Sequence, residues 1–493
     1  MVFSKDCRSA PNSQTPGGAS NGMGQSFDER ELCRREAALT DTHDPASGPA
    51  PKQMGLGGAV FLGVGAMVGA GIFALLGQAG AVAGSAVWVS FLIAAGVATL
   101  LGYTISKLSV RFPSRGGLVS FLARGFGDSH VTGIASWLFY LAGMIVTAMV
   151  SLSFGGYARE LFLPDDASAR WSKVFAVAVV VAMALVNRIG ADAVGKLQSI
   201  IVVVLLAVFA VFIVATLREA DFGMLAASTY PSWNKIISAV ALTFFAFLGF
   251  AVIANTAESM PDPARNVPRA TYLALLGATV LYVLMSIGVF GSLTVAEVVG
   301  YGETALAEAA RPSLGTAGFT MMSIAALLAT SSSVNANSFA AQNLTASLAE
   351  SRQFPSFFGG RAPVFGTRGL AMSVAIVLVL ALFLDLSQIA DIGSAVALAI
   401  FSMVGIAGFR LRKETNSSAA VIIAAIALDL IVLAFFLVDT ARNKPRVFVS
   451  MLVVFALTVA FDLWWKAVRE RPAPHVQPES STTPGSLDGQ PHQ

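Results

Sequence analysis

The chain has few of the residues that interior chemistry needs. Among its 493 residues only 12% are charged, and there are two cysteines and four histidines. Cys7 and Cys33 both lie in the N-terminal stretch, which is expected to face the cytoplasm, where thiols stay reduced, so a structural disulfide is not expected. His43, His475 and His492 fall in polar terminal stretches and His130 in a loop, so no histidine is expected inside an apolar stretch. No pair of acids stands out within the third to tenth apolar stretches either. Hydrolases and acyltransferases embedded in membranes need a histidine, a metal cluster or a carboxylate pair, so this poverty counts against an enzyme. No tightly bound metal and no cofactor are expected. GADAVGK at 190–196 has the spacing of a phosphate-binding loop, but Leu197 stands where a magnesium-holding Ser or Thr is required and no strand precedes it. A short turn between two apolar stretches is the simpler reading. The net charge of +3 comes from tails and loops and gives no support to nucleic-acid binding. No apolar segment follows Met1, so a cleaved signal peptide is not expected.

Apolar residues are abundant instead. They make up 55% of the chain, with a mean hydropathy of +0.71, which is too apolar for a soluble fold of this length. A helix needs about 20 apolar residues to cross hydrocarbon. Twelve stretches meet that pattern, at 54–82, 85–108, 133–163, 171–186, 193–217, 233–257, 270–293, 315–348, 369–386, 389–409, 419–438 and 447–465. The expected class is therefore an all-α integral membrane protein with twelve transmembrane helices. Alternate loops carry most of the basic residues, among them Lys107, Arg111, Arg124, Arg265, Arg269, Arg361, Arg368, Arg410 and Arg412. Basic loops favour the cytoplasm, so both termini are expected there, although Arg442, Lys444 and Arg446 run against the trend. Residues 1–53 and 471–493 are rich in Ser, Pro, Gly, Gln and charge and are expected to be disordered tails. Asp429 sits in the middle of IIAAIALDLIVLAFF, where a carboxylate is costly. A polar contact between helices is favoured there over a proton relay.

The first apolar stretch poses a puzzle. GVGAMVGAGIFALLGQAG, residues 63–80, holds glycines at 63, 65, 69, 71, 77 and 80. Each costs a helix up to about 1 kcal/mol relative to Ala, and Gly69-Ala70-Gly71 falls near mid-membrane. A break there exposes backbone groups, which hydrocarbon tolerates only beside a cavity. Close helix packing through small residues is the competing account, and Gly65 and Gly69 fit it. The sixth stretch, ALTFFAFLGFAVIANTAESMP, has Gly249 in mid-span among Phe244, Phe245, Phe247 and Phe250. Paired interruptions in corresponding spans of two five-helix halves are the pointer to an inverted-repeat transporter.

Three signatures carry a resemblance. GAMVGAGIF is similar to the first-helix signature of the amino acid, polyamine and organocation permeases. FFAFLGF followed by AESMPDPARNVPRA resembles their sixth-helix signature, and RFPSRGGLVSF resembles their segment between the second and third helices. The resemblance implies a LeuT-like five-plus-five core over residues 54–410, with discontinuous helices one and six, and two extra helices at 411–470. It implies a secondary transporter of an amino acid in the plasma membrane. The alternatives are a polyamine or organic amine transporter, an ion cotransporter of the same superfamily and, further off, a membrane-embedded enzyme.

It also implies a site. N–H groups around Ala70, Gly71 and Ile72 would face a substrate carboxylate, and the carbonyls of Phe245 and Leu248 would face its ammonium group. Met67 and Gly249 complete that set, Phe245 would occlude the substrate, and Ser333 and Asn337 would set selectivity, with Tyr140 and Met144 as weaker candidates. Ala251 stands where many relatives carry an acid, which favours a small or apolar neutral amino acid. Leu205 stands where some relatives carry a coupling lysine. Thr330 to Ser333 offer hydroxyls instead, and Ser332 and Ser333 with the carbonyls of Gly65 and Val68 form a candidate sodium site. The competing account has these hydroxyls bonding their own helix. A proton is the other candidate coupling ion, with Glu258 as carrier, although an ion pair of Glu258 with Arg265, Arg269, Lys107 or Arg115 is favoured. The expected partners are an amino acid and membrane lipid, with the chain as a monomer or homodimer.

Overall fold

Without water to satisfy them, backbone N–H and C=O groups in an apolar run must bond within their own segment, and the apolar runs of this chain all do so as helices. The structure, a computed structural model, describes residues 54–114, 117–127, 129–165, 168–187, 191–350, 353–362 and 365–469. The two tails expected to be disordered, with both cysteines, His43, His475 and His492, lie outside the described residues.

The helices are α1 (Leu56–Ala70), α2 (Ile72–Ala83), α3 (Val87–Arg111), α4 (Gly117–Phe126), α5 (His130–Phe162), α6 (Ala169–Val186) and α7 (Ala191–Glu219). Then come α8 (Trp233–Ala246), a 3-10 segment (Leu248–Ser259), α9 (Pro263–Ser292), α10 (Val295–Tyr301) and α11 (Ala305–Glu308). The chain closes with α12 (Arg311–Glu350), α13 (Arg368–Phe383), α14 (Leu386–Arg410), α15 (Ala419–Asn443) and α16 (Pro445–Arg469). A short hairpin, β1 (Arg361–Ala362) with β2 (Gly366–Thr367), precedes α13.

All twelve apolar stretches fall on helical structure. Among the described residues nine helices are long and apolar enough to cross a membrane, and Leu56–Gly69, Gly117–Phe126 and Arg368–Phe383 are shorter apolar helices. The segment 191–196, whose spacing suggested a phosphate loop, is the first part of α7. Polar side chains set several helix starts. Ser129 accepts from the Thr132 N–H, Thr294 and Glu297 form a reciprocal cap, and so do Asp385 and Gln388. Gly84, at φ 56°, reverses the chain between α2 and α3, a conformation that side chains with a Cβ rarely adopt.

In the interior, α1 packs on the 3-10 segment and α9, α3 on α9 and α8, and α5 on α12 and α14. α15 and α16 join from one side: α15 packs on α14, α8 and α3, and α16 on α5 and α15. The segments 109–132 and 294–314 lie between expected spans. They hold α4 and the pair α10–α11, segments too short to register as spans.

Candidate functional site

The two interrupted spans touch each other backbone to backbone. A Cβ added to Gly71 would lie 2.9 Å from the Ala246 carbonyl oxygen and 2.6 Å from the Tyr282 hydroxyl. A Cβ on Gly249 would lie 2.4 Å from the Met67 nitrogen and 2.5 Å from the Ala66 carbonyl carbon. Only bare Cα atoms allow the crossing. Close packing, one of the two accounts of these glycines, is therefore part of the answer.

The interruptions themselves differ. Between α1 and α2 ideal geometry is lost at one residue, Gly71, whose φ −89° and ψ −71° stay in the right-handed helical region. Its N–H donates to the Met67 carbonyl at 2.9 Å and its own carbonyl accepts from Leu75 at 2.9 Å. The expected row of open N–H groups at Ala70, Gly71 and Ile72 is thus narrower than anticipated, because the Gly71 N–H is already bonded. In the sixth span, Phe247 ends α8 and the chain tightens to 3-10 geometry for 12 residues. The N–H of Phe247 reaches the Phe244 carbonyl, and that of Phe250 reaches the Phe247 carbonyl. The Ala246 carbonyl, left over at this transition, accepts from the Tyr282 hydroxyl at 3.1 Å. Sequence reading missed Tyr282. Its signal was a phenol in an apolar span, whose hydroxyl has to find a partner.

Beside the crossing lies a cavity of about 1220 Å³. Phe245, Leu248, Gly249, Ser333 and Asn337 line it, as do Gly65 and Ser332 of the candidate cation site and Tyr140 and Met144. The structure brings these together from four helices and the 3-10 segment. Met67, Val68 and Ile72 are buried, and with Gly71 they stand outside the lining. Ala70 closes α1, and its side chain lies outside the described part. Glu258 is exposed at the end of the 3-10 segment, away from the lining. The cavity extends past Asn255 and Asn187 to Ser114, Gly117 and Gln353, at the end of the bundle that carries the basic loops. Asn187 is fixed there by donating to the Asn335 side-chain oxygen at 3.0 Å.

Among the described lining residues none is Asp, Glu, Lys, Arg or His. Polarity comes from hydroxyls, amides and backbone. On α12, Thr330 and Ser331 donate to the Ala326 and Leu328 carbonyls of their own helix. Asn337 donates to Ser333 at 3.3 Å. The hydroxyls that face the cavity are those of the second pair, Ser332 and Ser333. Leu205 lines the cavity with an apolar surface.

Charged groups lie elsewhere. Asp429 on α15 is fully buried and accepts a hydrogen bond from Ser402 on α14, away from the cavity, which makes it a helix contact. At the far end of the bundle, Arg159 pairs with Glu160 at 2.7 Å and Arg311 with Glu308. Glu303 packs on Gly156 there. Burial pushes its carboxyl above the ordinary value, against the pull of its own backbone N–H and of Arg159.

Comparison with known proteins gives a consistent result. A family model described as amino acid permease matches residues 54–461. The inner membrane transport protein YbaT of Escherichia coli is 32% identical over 411 residues, which cover 83% of this chain and 96% of that protein. The serine/threonine exchanger SteT of Bacillus subtilis is 26% identical over 381 residues, 74% of this chain and 84% of the exchanger. The branched-chain amino acid permease BcaP of the same bacterium is 25% identical over 264 residues, half of this chain and 57% of the permease.

Proposed function

The chain belongs to the amino acid permease family, and from that membership together with the cavity we infer a secondary transporter that carries a neutral amino acid by alternating access. The observation that carries the choice of substrate is the uncharged lining beside the crossing. A free amino acid is a zwitterion, and backbone dipoles at two helix interruptions can hold both of its charges without any ionised side chain. A polyamine would need carboxylates to offset its charge. The described lining supplies none, which favours a neutral amino acid over that alternative.

In this reading the carbonyls near Phe245 and Leu248 accept the ammonium group, and the carboxylate lies toward α1, whose Gly65, Ala66 and Gly69 line the cavity. Ser333 and Asn337 meet the side chain. The names of two relatives, a serine/threonine exchanger and a branched-chain amino acid permease, agree with a small or apolar solute. The twelve helices form the LeuT-like five-plus-five core with α15 and α16 added. The basic loops face the cytoplasm of a plasma-membrane protein, and both termini lie on that side. The cavity, which extends toward those loops, is then an inward-facing vestibule. Sodium held by Ser332, Ser333 and the Gly65 and Val68 carbonyls drives uptake, and proton coupling or exchange are the outcomes that a sodium-independent result would select.

The test is uptake of radiolabelled amino acids into proteoliposomes, with and without a sodium gradient, alongside thermal shifts of the purified protein. Saturable uptake of a neutral amino acid, competed by its neutral relatives and not by putrescine, is expected. Flat responses to every amino acid would overturn the reading.

A further inference from the structure

The Phe245 ring has a seat on another helix. A Cβ added to Gly393, on α14, would lie 2.5 Å from Phe245 Cζ, 2.9 Å from its Cε1 and 2.8 Å from Ile145 Cγ2 on α5. The tip of the ring therefore rests in a notch that exists because position 393 has no side chain. Gly393, Ala397 and Phe401 follow at intervals of four and so share one face of α14. Ala397 and Phe401 line the cavity, as Phe245 does. The same helix face thus forms one wall of the cavity and, one turn further along, stows the ring.

We propose that Gly393 is a positioning residue that sets substrate size: its notch keeps the Phe245 ring withdrawn and so leaves cavity space for the side chain of a larger neutral amino acid. The proposal rests on the transporter reading above. With the notch filled, the ring tip has no place between α14 and α5. The ring has to leave its position, and the free space beside it is the cavity. A ring displaced into the cavity penalises bulky substrates and leaves small ones nearly unaffected. A merely structural role for Gly393 would lower activity for every substrate alike.

The experiment measures uptake KM in proteoliposomes for alanine, valine, leucine and phenylalanine. Four proteins are compared: wild type, Gly393→Ala, Phe245→Leu and the double variant. For Gly393→Ala the ratio of KM for leucine to that for alanine is expected to rise by about tenfold, the scale of a methylene or two of lost pocket space. Phe245→Leu removes the ring tip, so in that background Gly393→Ala is expected to leave the ratio within about twofold of the Phe245→Leu value. An equal rise in KM for all four substrates, or a ratio that stays high in the double variant, would overturn the proposal. If Gly393→Ala alone does not fold, the double variant decides: folded protein with a restored size range supports the notch, and failure of both variants to fold overturns it. Wild-type protein that transports none of the four would strike the transporter reading itself, separately from this inference.

Discussion

Two spans of this protein were expected to break, and only the sixth is rewound. The first span carries six glycines between residues 63 and 80, yet stays in the right-handed helical region even at Gly71, where its two helices meet. The sixth has one mid-span glycine and is rewound into 3-10 geometry over Leu248–Ser259. Glycine count therefore does not measure disruption. In the first span glycine mainly buys proximity, because Gly71 lies against Ala246 and the backbone of Ala66 and Met67 lies against Gly249. In the sixth span the disruption is held by a partner from elsewhere, the Tyr282 hydroxyl on the Ala246 carbonyl.

Filling the crossing has the largest expected effect. Gly71→Ala and Gly249→Ala both press a methyl group onto backbone, and each is expected to cost about 3 kcal/mol or more, with lost folded yield and a lowered melting temperature. Gly57→Ala, where a Cβ meets nothing within 4 Å, is the control from the same span and is expected to melt like wild type. A normal melt for Gly249→Ala would remove proximity as the reason for that glycine.

A smaller effect is expected at the partner. Tyr282→Phe keeps the ring and leaves the Ala246 carbonyl unpaired, at a cost of about 1–3 kcal/mol. Proteoliposome uptake is expected to fall with it. A variant that melts and transports like wild type would mean that the 3-10 transition needs no support from α9.

Folding favours the protonated form of Glu303, so its contribution to stability is fully present below the ordinary value of 4.5 and is lost as pH rises through the raised folded value. Glu303→Gln is therefore expected to melt higher than wild type at neutral pH, with the difference vanishing below about pH 4.5. Melting curves at several pH values check this, and a gain in acid alone would reverse the sign. The smallest change is expected for Asp429→Asn. The amide keeps an acceptor for Ser402, so stability is expected to shift by less than about 1 kcal/mol and uptake to stay at the wild-type level. A large loss of uptake there would reinstate a proton relay.

Much of the architecture was legible because a bilayer imposes a simple rule: an apolar run of sufficient length becomes a helix, and nine helices among the described residues are long and apolar enough to cross. α4, α10 and α11 were not legible, since a segment of ten residues or fewer leaves no hydropathy signal of that kind. Of the residues named from the sequence, Phe245, Leu248 and Gly249 of the sixth-helix motif and Ser333 and Asn337 on α12 line the cavity. Met67, Val68 and Ile72 were named with the same reasoning and turn out to be packed inside the bundle. Which face of a helix meets a cavity depends on its neighbours, and for α1 those are α9, α12 and the 3-10 segment. Tyr282, Asn187 and Gly393 went unnoticed for a related reason, since each acts on a residue far away in the chain.

Residue order and composition alone mark this chain as a helical membrane protein poor in ionisable interior groups, with two spans that stand out. They do so because the price of burying charge and unpaired backbone in hydrocarbon is set by composition and local pattern. Packing between helices set the rest: the two spans touch at Gly71 and Gly249, a tyrosine from α9 caps the rewound one, and the Phe245 ring tip rests against Gly393. Those are contacts between helices, and their outcome depends on tenths of an ångström in packing that no single segment encodes.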